Sequence, residues 1–359
     1  MTAGFSGRIA GLRASLEREG LGGYVVSEKA NVLYFTGFPY GGRLLIPRGG
    51  GESRLYVHGV NYELARRTVE GCGVELVEWG EKVDQRVAEE IRQLGLRRVG
   101  FDVLDVSVYL RFSRILRSVK LKPFRRLVEA LRAVKDETEL ECLRRSAELT
   151  SEGMKTAFEM IKPGVHEFEV AAEVEYAMRR RGSEGVAFDT IVASGVRSAF
   201  PHCECTDKKV SKGDLVVVDL GARFRHYRAD LTRTVVVGKP SVKQARIYEV
   251  VREAQDKASR RLKAGARACD VDAAAREFIA EEGYGEFFVH SVGHGVGLEV
   301  HEPPSLNPEN KEQLKAGNVV TVEPGIYVPD FGGVRIEDTV LVLGGEAERL
   351  TEALYGFEV

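Results

Sequence analysis

Hydrophobic positions along the first 125 residues switch repeatedly between a spacing of three to four and strict alternation, the periods of helix and strand. Ser6 is placed to cap a helix that carries Ile9, Leu12 and Leu16 on one face and stops at Gly20. Extended runs follow at 23–27, 54–58, 74–79 and 98–103, with a helical pattern at 81–94. The alternation predicts an N-terminal α/β domain over residues 1–125, with His58 on a strand beside Tyr56 as a surface or core residue. The pattern changes at 125–134. Asp136 and Glu139 then have the spacing of a capping box, opening a helix through Leu140, Leu143, Ala147, Met154 and Phe158 to Pro163 and Gly164. A second domain is expected over residues 126–359.

This second domain repeats itself. Gly164, Val170 and Gly182 recur at one interval as Gly265, Val271 and Gly283. Gly213 and Asp219 recur at a slightly longer one as Gly317 and Glu323, and Asp230 recurs as Glu337 after a short insertion. Between the halves, Ser241 and Gln244 form another capping box before a helix whose apolar face is Tyr248, Val251, Ala258 and Leu262. Each half therefore reads as helix, glycine turn, helix, strand, then a hairpin bearing acids. Two such halves predict one pseudo-two-fold domain with the hairpins meeting near its axis.

The acids change the picture. Asp219 and Asp230 sit in the β-branched stretch DLVVVDLGARFRHYRADLTRTVVVG, and Glu323 and Glu337 in NVVTVEPGIYVPDFGGVRIEDTVLV. A carboxylate in such a run is costly unless it is paired or binds a cation. Like charges that converge in a dry site also repel. Arg223, Arg225, Arg228, Arg233 and Arg335 lie on or beside the hairpins and could satisfy one or two acids. The repeated placement points instead to two divalent ions balancing the charge. FVHSVGHGVGLEVHE adds His290, His294 and His301, with glycines that let the backbone bend around His294. Carboxylates with one imidazole suit manganese, cobalt, iron or zinc, and are too oxygen-rich for structural zinc. Paired metals activate water, so hydrolysis is the reaction class expected.

Composition excludes other classes. The chain of 359 residues is 43% hydrophobic and 30% charged with a net charge of −2, which predicts neither a nucleic-acid nor a membrane surface. No apolar run approaches the ~20 residues of a membrane span. The start, MTAGFSGRIAGLRASLEREG, lacks the apolar segment of a secretory signal, and the five scattered cysteines fit a reducing compartment. A cytoplasmic location is expected. Cys203 and Cys205 make a lone C-x-C, a weak metal signal without a second pair. No strand–glycine–helix context marks a dinucleotide or phosphate loop.

The ordered set VVVDLG (Asp219), ADLTRT (Asp230), GHGVGLEVHE (His294), TVEPGIY (Glu323) and GVRIEDT (Glu337) resembles the dinuclear-metal "pita-bread" peptidases. That family includes methionine aminopeptidase, aminopeptidase P and prolidase. LRAVKDETELECLRRSAELT, FDTIVASGVRSAFPH and the N-terminal domain resemble the proline-specific branch. The resemblance implies an α/β creatinase-like N-terminal domain followed by a duplicated pita-bread metallopeptidase domain. It implies hydrolysis of the bond before proline by a water or hydroxide bridging two divalent metals, Mn2+ or Co2+ first and Zn2+ or Fe2+ otherwise, in a homodimer. Asp219 and Asp230 would hold one metal, His294 and Glu323 the other, with Asp230 and Glu337 bridging. Glu323 would also act as general base, and His202 and His301 would orient substrate. Phe188 and Val300 would line a proline pocket, His290 would support the ligands, and Arg335 would anchor their network or touch substrate.

Two departures concern substrate length. Prolidases typically carry an arginine shortly after the HE segment, where this chain reads HEPPSLNPENK, with Ser305 at that place and Lys311 the nearest base. CECTDKK follows His202, where a small residue is common. The reading is an Xaa-Pro dipeptidase, with an Xaa-Pro aminopeptidase as the alternative. A non-catalytic scaffold or a creatinase-type amidine hydrolase is disfavoured, because every ligand position is filled.

Overall fold

In a computed structural model describing residues 4–359, the chain divides into two compact units, one ending at Arg132 and the other spanning Ala133–Val359. No helix among the described residues is long and apolar enough to cross a membrane.

The first unit is built on a six-stranded mixed sheet in the order Gly73–Val77, Arg54–His58, Arg43–Pro47, Gly23–Val26, Arg98–Phe101, Lys120–Pro123. Helix Val83–Gln93 buries Val87, Ala88 and Ile91 in the same cluster as Val25, Leu45, Tyr56 and Val99 of the sheet. The pattern does not mark strands Arg43–Pro47 and Lys120–Pro123, or helices Lys29–Thr36 and Gly59–Thr68. The assignment of Ser6 as a cap is corrected. The first helix spans Phe5–Arg18, its N-cap is Gly4 and no side chain caps it, so Ser6 lies within the first turn. His58 is exposed.

In the second unit the capping box at Asp136 is formed: the Glu139 N–H donates to Asp136 Oδ1 and the Asp136 N–H to Glu139 Oε2, both at 3.0 Å. The box opens helix Glu137–Met160, and Ser241 with Gln244 likewise opens helix Val242–Ser259. Duplication is visible in the backbone. The paired glycines Gly164 and Gly265 have φ of 93° and 87°, Gly182 and Gly283 have 106° and 83°, and Gly213 and Gly317 have 89° and 91°. Side chains rarely adopt these angles, which accounts for the glycine repeat.

Each half lays two helices on its own antiparallel sheet. In the first, Leu149, Met154, Val170 and Val174 cluster with Val216, Val218, Leu231 and Val235 of strands Leu215–Leu220 and Leu231–Val236. In the second, Val251, Ala254, Val271 and Ala275 cluster with Val320, Val322 and Val340 of strands Val319–Val322 and Asp338–Leu341.

The halves are joined strand to strand through side-chain and backbone hydrogen bonds. Thr234 Oγ1 donates to Arg335 O and accepts from the Arg335 N–H, both at 3.0 Å. Thr339 Oγ1 donates to Asp230 O at 2.8 Å and accepts from the Asp230 N–H at 3.0 Å. The Glu337 N–H donates to Thr232 O at 3.1 Å. These exchanges carry Asp230 and Glu337 to the same seam. Strands Leu215–Leu220 and Leu231–Val236 are buried throughout, so the acids on and beside them have little access to water.

Candidate metal centre

At this seam, ligand atoms of Asp230, His294 and Glu337 lie within 4.8 Å of one another, the one such group among the described residues. Glu323 joins through His294, whose Nε2 stands 3.1 Å from Glu323 Oε1 and 3.8 Å from Asp230 Oδ2. Asp219 is held by Arg335, whose Nη2 donates to Asp219 Oδ2 at 2.6 Å. All five expected ligand residues therefore share one buried neighbourhood, with Asp219 and Glu323 tied to side chains at its edge.

The alternative of arginine pairing applies to a single acid. Among the described residues, Arg335 takes Asp219, whereas Arg233 pairs with Asp338 at 2.9 Å and Arg223 approaches Glu184 at 3.9 Å. Arg228 donates to Ala187 O, and Arg225 lies over the Phe224 ring. Asp219 Oδ1, Asp230 Oδ1 and Glu337 Oε1 are buried and have no hydrogen-bond partner among the described residues. Leaving such an oxygen unsatisfied costs about 1–3 kcal/mol, more when it is charged. A divalent cation fits these orphaned oxygens and their charge.

The electrostatics agree. Burial, then the charges of Glu337, Asp219 and Glu323, hold the Asp230 carboxyl well above the usual carboxylate range. Burial, then Glu323 and Asp219, raises Glu337 in the same way, against a 2.6 Å hydrogen bond from Thr232. Burial also opposes ionisation of Glu323, but the hydrogen bond and charge of His294 outweigh it and hold Glu323 at about 2. His294 is raised correspondingly: burial disfavours its charge, and Glu323 overcomes that. His294 Nδ1 faces Gly295 O at 3.2 Å, which fixes the Nδ1–H tautomer and directs Nε2 at the acids.

Behind Asp219, the sequence marks Arg335 and His290 as supports of the ligands but not Tyr327, which joins them. Arg335 Nη1 donates to the Tyr327 hydroxyl at 2.8 Å, and that hydroxyl lies 2.9 Å from His290 Nε2. His290 Nδ1 stands 2.8 Å from Ser291 O, so it carries the proton, and Nε2 accepts from Tyr327. Burial lowers the His290 pKa and pushes that of Tyr327 up to about 12, keeping both neutral. Thr232 is a second unanticipated member, donating to Glu337 and accepting from Arg335 Nε at 3.2 Å. Tyr327 and Thr232 stand inside the GIY and DLTRT phrases, and their proximity to the acids was the available signal.

The substrate-side residues are more open. His301 is exposed, and its ring makes an edge contact with that of His294 at 4.3 Å. Although the residue is exposed, partial desolvation of its ring first, then the charge of His294, lowers its pKa. His202 is exposed on the loop after Pro201, whose carbonyl accepts from Arg335 Nη1 at 3.3 Å. Phe188 and Val300 are half-buried. Phe188 packs over Gly221, where an added Cβ would come within 3.0 Å of Phe188 Cε1 and 2.1 Å of Ala229 O. His166 pairs with Glu169 at 2.9 Å, and His226 faces Glu184 at 3.8 Å, both apart from the acids. Cys205 Sγ donates to Thr190 O and accepts from the Val192 N–H, and burial raises its thiol to about 11. Ser305 Oγ accepts from Asn307 Nδ2 at 2.9 Å, and Lys311 is exposed.

Residues 141–343 match the metallopeptidase family M24, and residues 8–134 match the creatinase/prolidase N-terminal domain. The chain belongs to metallopeptidase family M24. An M24 relative, the Xaa-Pro dipeptidase of Pyrococcus furiosus, is 43% identical over 91% of this chain and 92% of its own length. The crystal structure of the prolidase from Pyrococcus horikoshii OT3 superposes with a TM-score of 0.91 at 39% identity, covering 97% of this chain and 98% of its own. The X-Pro aminopeptidase from Thermotoga maritima superposes with a TM-score of 0.89 at 35% identity, covering 98% of this chain and 99% of its own. M24 membership makes this a metal-dependent peptidase, in keeping with the orphaned oxygens.

One further pair supports the M24 centre from outside. Lys135 Nζ lies 2.9 Å from Glu302 Oε1, with the two side chains 0% and 3% exposed. Glu302 follows His301, so the pair fixes the root of that histidine's segment. Lys135→Met removes a compensating charge from a buried carboxylate and is expected to destabilise the fold by about 3–5 kcal/mol. Denaturant unfolding of the variant checks this, and a loss below ~1 kcal/mol would mean that the pair is replaceable.

Proposed function

We propose that the chain hydrolyses the peptide bond preceding proline in Xaa-Pro dipeptides. The observation that carries this reading is the buried set Asp219, Asp230, His294, Glu323 and Glu337 with its orphaned oxygens. The dipeptidase and prolidase relatives support the substrate class. In this reading Asp219, Asp230, His294, Glu323 and Glu337 would together hold two divalent ions. Mn2+ or Co2+ suits these ligands best, and Zn2+ or Fe2+ is compatible. Such ions supply Lewis-acid polarisation and a nucleophile active near neutral pH.

The chain's own groups do the rest. Thr321 Oγ1 donates to Glu323 Oε1 at 3.1 Å and so orients the carboxylate that would take a proton as general base. His301, its charge disfavoured by partial desolvation and by His294, orients the scissile group together with His202. Phe188 and Val300 offer apolar surface to the proline ring. Arg335 orients Asp219, and His290 buttresses Arg335 through Tyr327. A homodimer and a cytoplasmic location belong to the same proposal, the latter supported by five free thiols.

Aminopeptidase action on longer peptides is the second reading, favoured by Ser305 at the place where prolidases carry an arginine and by the Thermotoga maritima relative. Metal-loaded protein is expected to cleave an Xaa-Pro dipeptide faster than an Xaa-Pro-Xaa tripeptide in a steady-state assay. Cleavage of the tripeptide alone would sink the dipeptidase reading.

A further inference from the structure

We propose that Glu167 is a positioning residue for His202, acting through the loop that carries it. This rests on the reading of His202 as a substrate-orienting group. Glu167 opens helix Glu167–Arg180 and is 0% exposed. Its Oε1 accepts from the Ser194 N–H at 2.8 Å and from Ser194 Oγ at 2.7 Å. Its Oε2 accepts from the Thr206 N–H at 3.1 Å, Thr206 Oγ1 at 2.7 Å and Arg197 Nε at 3.3 Å. One carboxylate thus receives every one of these donors, the arrangement that makes a buried anion tolerable.

Ser194 and Thr206 are the two ends of the excursion that carries Pro201 and His202. Within it, Gly195–Ala199 is a short 3₁₀ turn and residues 200–206 form no strand or helix. With no ladder of its own, the loop takes its shape from tethers. Glu167 closes its base, where Lys208 Nζ also donates to Ser194 Oγ at 2.8 Å and to Asp214 Oδ2 at 2.6 Å. The other grip is at the far side: the Gly333 N–H donates to Ser198 Oγ at 2.9 Å and Arg335 Nη1 to Pro201 O at 3.3 Å. The loop is therefore stretched between Glu167 and the arginine that holds Asp219.

The second half uses the same device. Its helix Ala268–Glu281 carries Asp272, 1% exposed, which accepts from the Val292 N–H at 3.0 Å and pairs with Arg276. Val292 lies between His290 and His294. In each half, a buried acid on the second helix grips the backbone of a segment that carries an active-site histidine.

Glu167→Gln keeps the side chain's size but turns an amide NH2 toward a backbone N–H, of Ser194 or of Thr206, that needs an acceptor. The variant is expected to lose about 10- to 100-fold in kcat/KM on an Xaa-Pro dipeptide, with metal content unchanged. Thr206→Val, which removes one hydroxyl, is expected to lose less and decides the matter if Glu167→Gln does not fold. The test is a double-variant cycle with His202→Ala, following kcat and KM separately. If Glu167 acts through His202, either substitution adds less than about twofold to the loss already caused by His202→Ala. Losses that multiply, or wild-type kcat/KM in both Glu167→Gln and Thr206→Val, overturn the positioning role alone. An unaffected His202→Ala overturns the reading of His202 and the positioning role together.

Discussion

Asp219→Asn is expected to abolish peptide hydrolysis while leaving a soluble, folded protein. Asp219 has one oxygen on Arg335 at 2.6 Å and the other buried without a partner among the described residues. Asparagine keeps the volume and one acceptor for Arg335, but it removes the negative charge and replaces one oxygen with an NH2. That NH2 cannot ligate a cation. Arg335 retains Tyr327, Thr232 and the Pro201 carbonyl, so its own burial stays compensated and the fold should persist. Losing the several kcal/mol of transition-state stabilisation that a metal provides corresponds to a fall of about 10³-fold or more in kcat/KM. Metal content after reconstitution, measured with dipeptide turnover, checks both parts. Near-normal turnover in the variant would refute the assignment of Asp219 as a ligand.

Asp219 also shows why the centre was legible in the sequence. A carboxylate inside LVVVDL is costly unless a cation meets it, and its recurrence as Glu323 in VVTVEP doubled the signal. The glycine pairs were legible for a similar reason, because their φ angles near 90° leave glycine as the residue that fits without strain. Contacts between distant side chains were not legible. Nothing local in GIYV tells Tyr327 to bridge Arg335 and His290, and nothing in AVKDE tells Lys135 to meet Glu302. Periodicity also failed where an element is short or uniform. Helix Lys29–Thr36 buries Asn31, Val32, Tyr34, Phe35 and Thr36, so it shows no polar stripe. Strand Lys120–Pro123, KLKP, sits at the sheet edge with basic residues outward, and its apolar signal is a single leucine. Ser6 had the right chemistry for a cap, but the chain enters the helix at Gly4 before reaching it.

Asp230, Glu337 and His294 of the metal-free centre are expected to contribute less stability as pH rises, and bound metal to reverse their contribution. Asp230 and Glu337 are raised by burial and by neighbouring acids. A carboxyl raised in the native state contributes stability that is complete below its unfolded value, about 4, and is lost as pH climbs through the native value. His294, raised by Glu323 against the effect of burial, acts in the same direction from about 6.5 upward. Glu323, held at about 2 despite burial, works the other way, but its stabilisation fades only as pH falls below about 4 and so lies outside this window. Binding a divalent ion requires the acids ionised and Nε2 of His294 free of its proton, so uptake releases protons and strengthens as pH rises. At a thousandfold excess over its dissociation constant, an ion that binds only the native state adds about 4 kcal/mol. Thermal midpoints with chelator and with excess Mn2+, taken from about pH 5 to about pH 8, should therefore diverge, because titrations elsewhere in the protein are common to both series. Parallel curves would show that these acids do not exchange their protons for a cation, and the centre would then have to be read as a charge network closed by Arg335 alone.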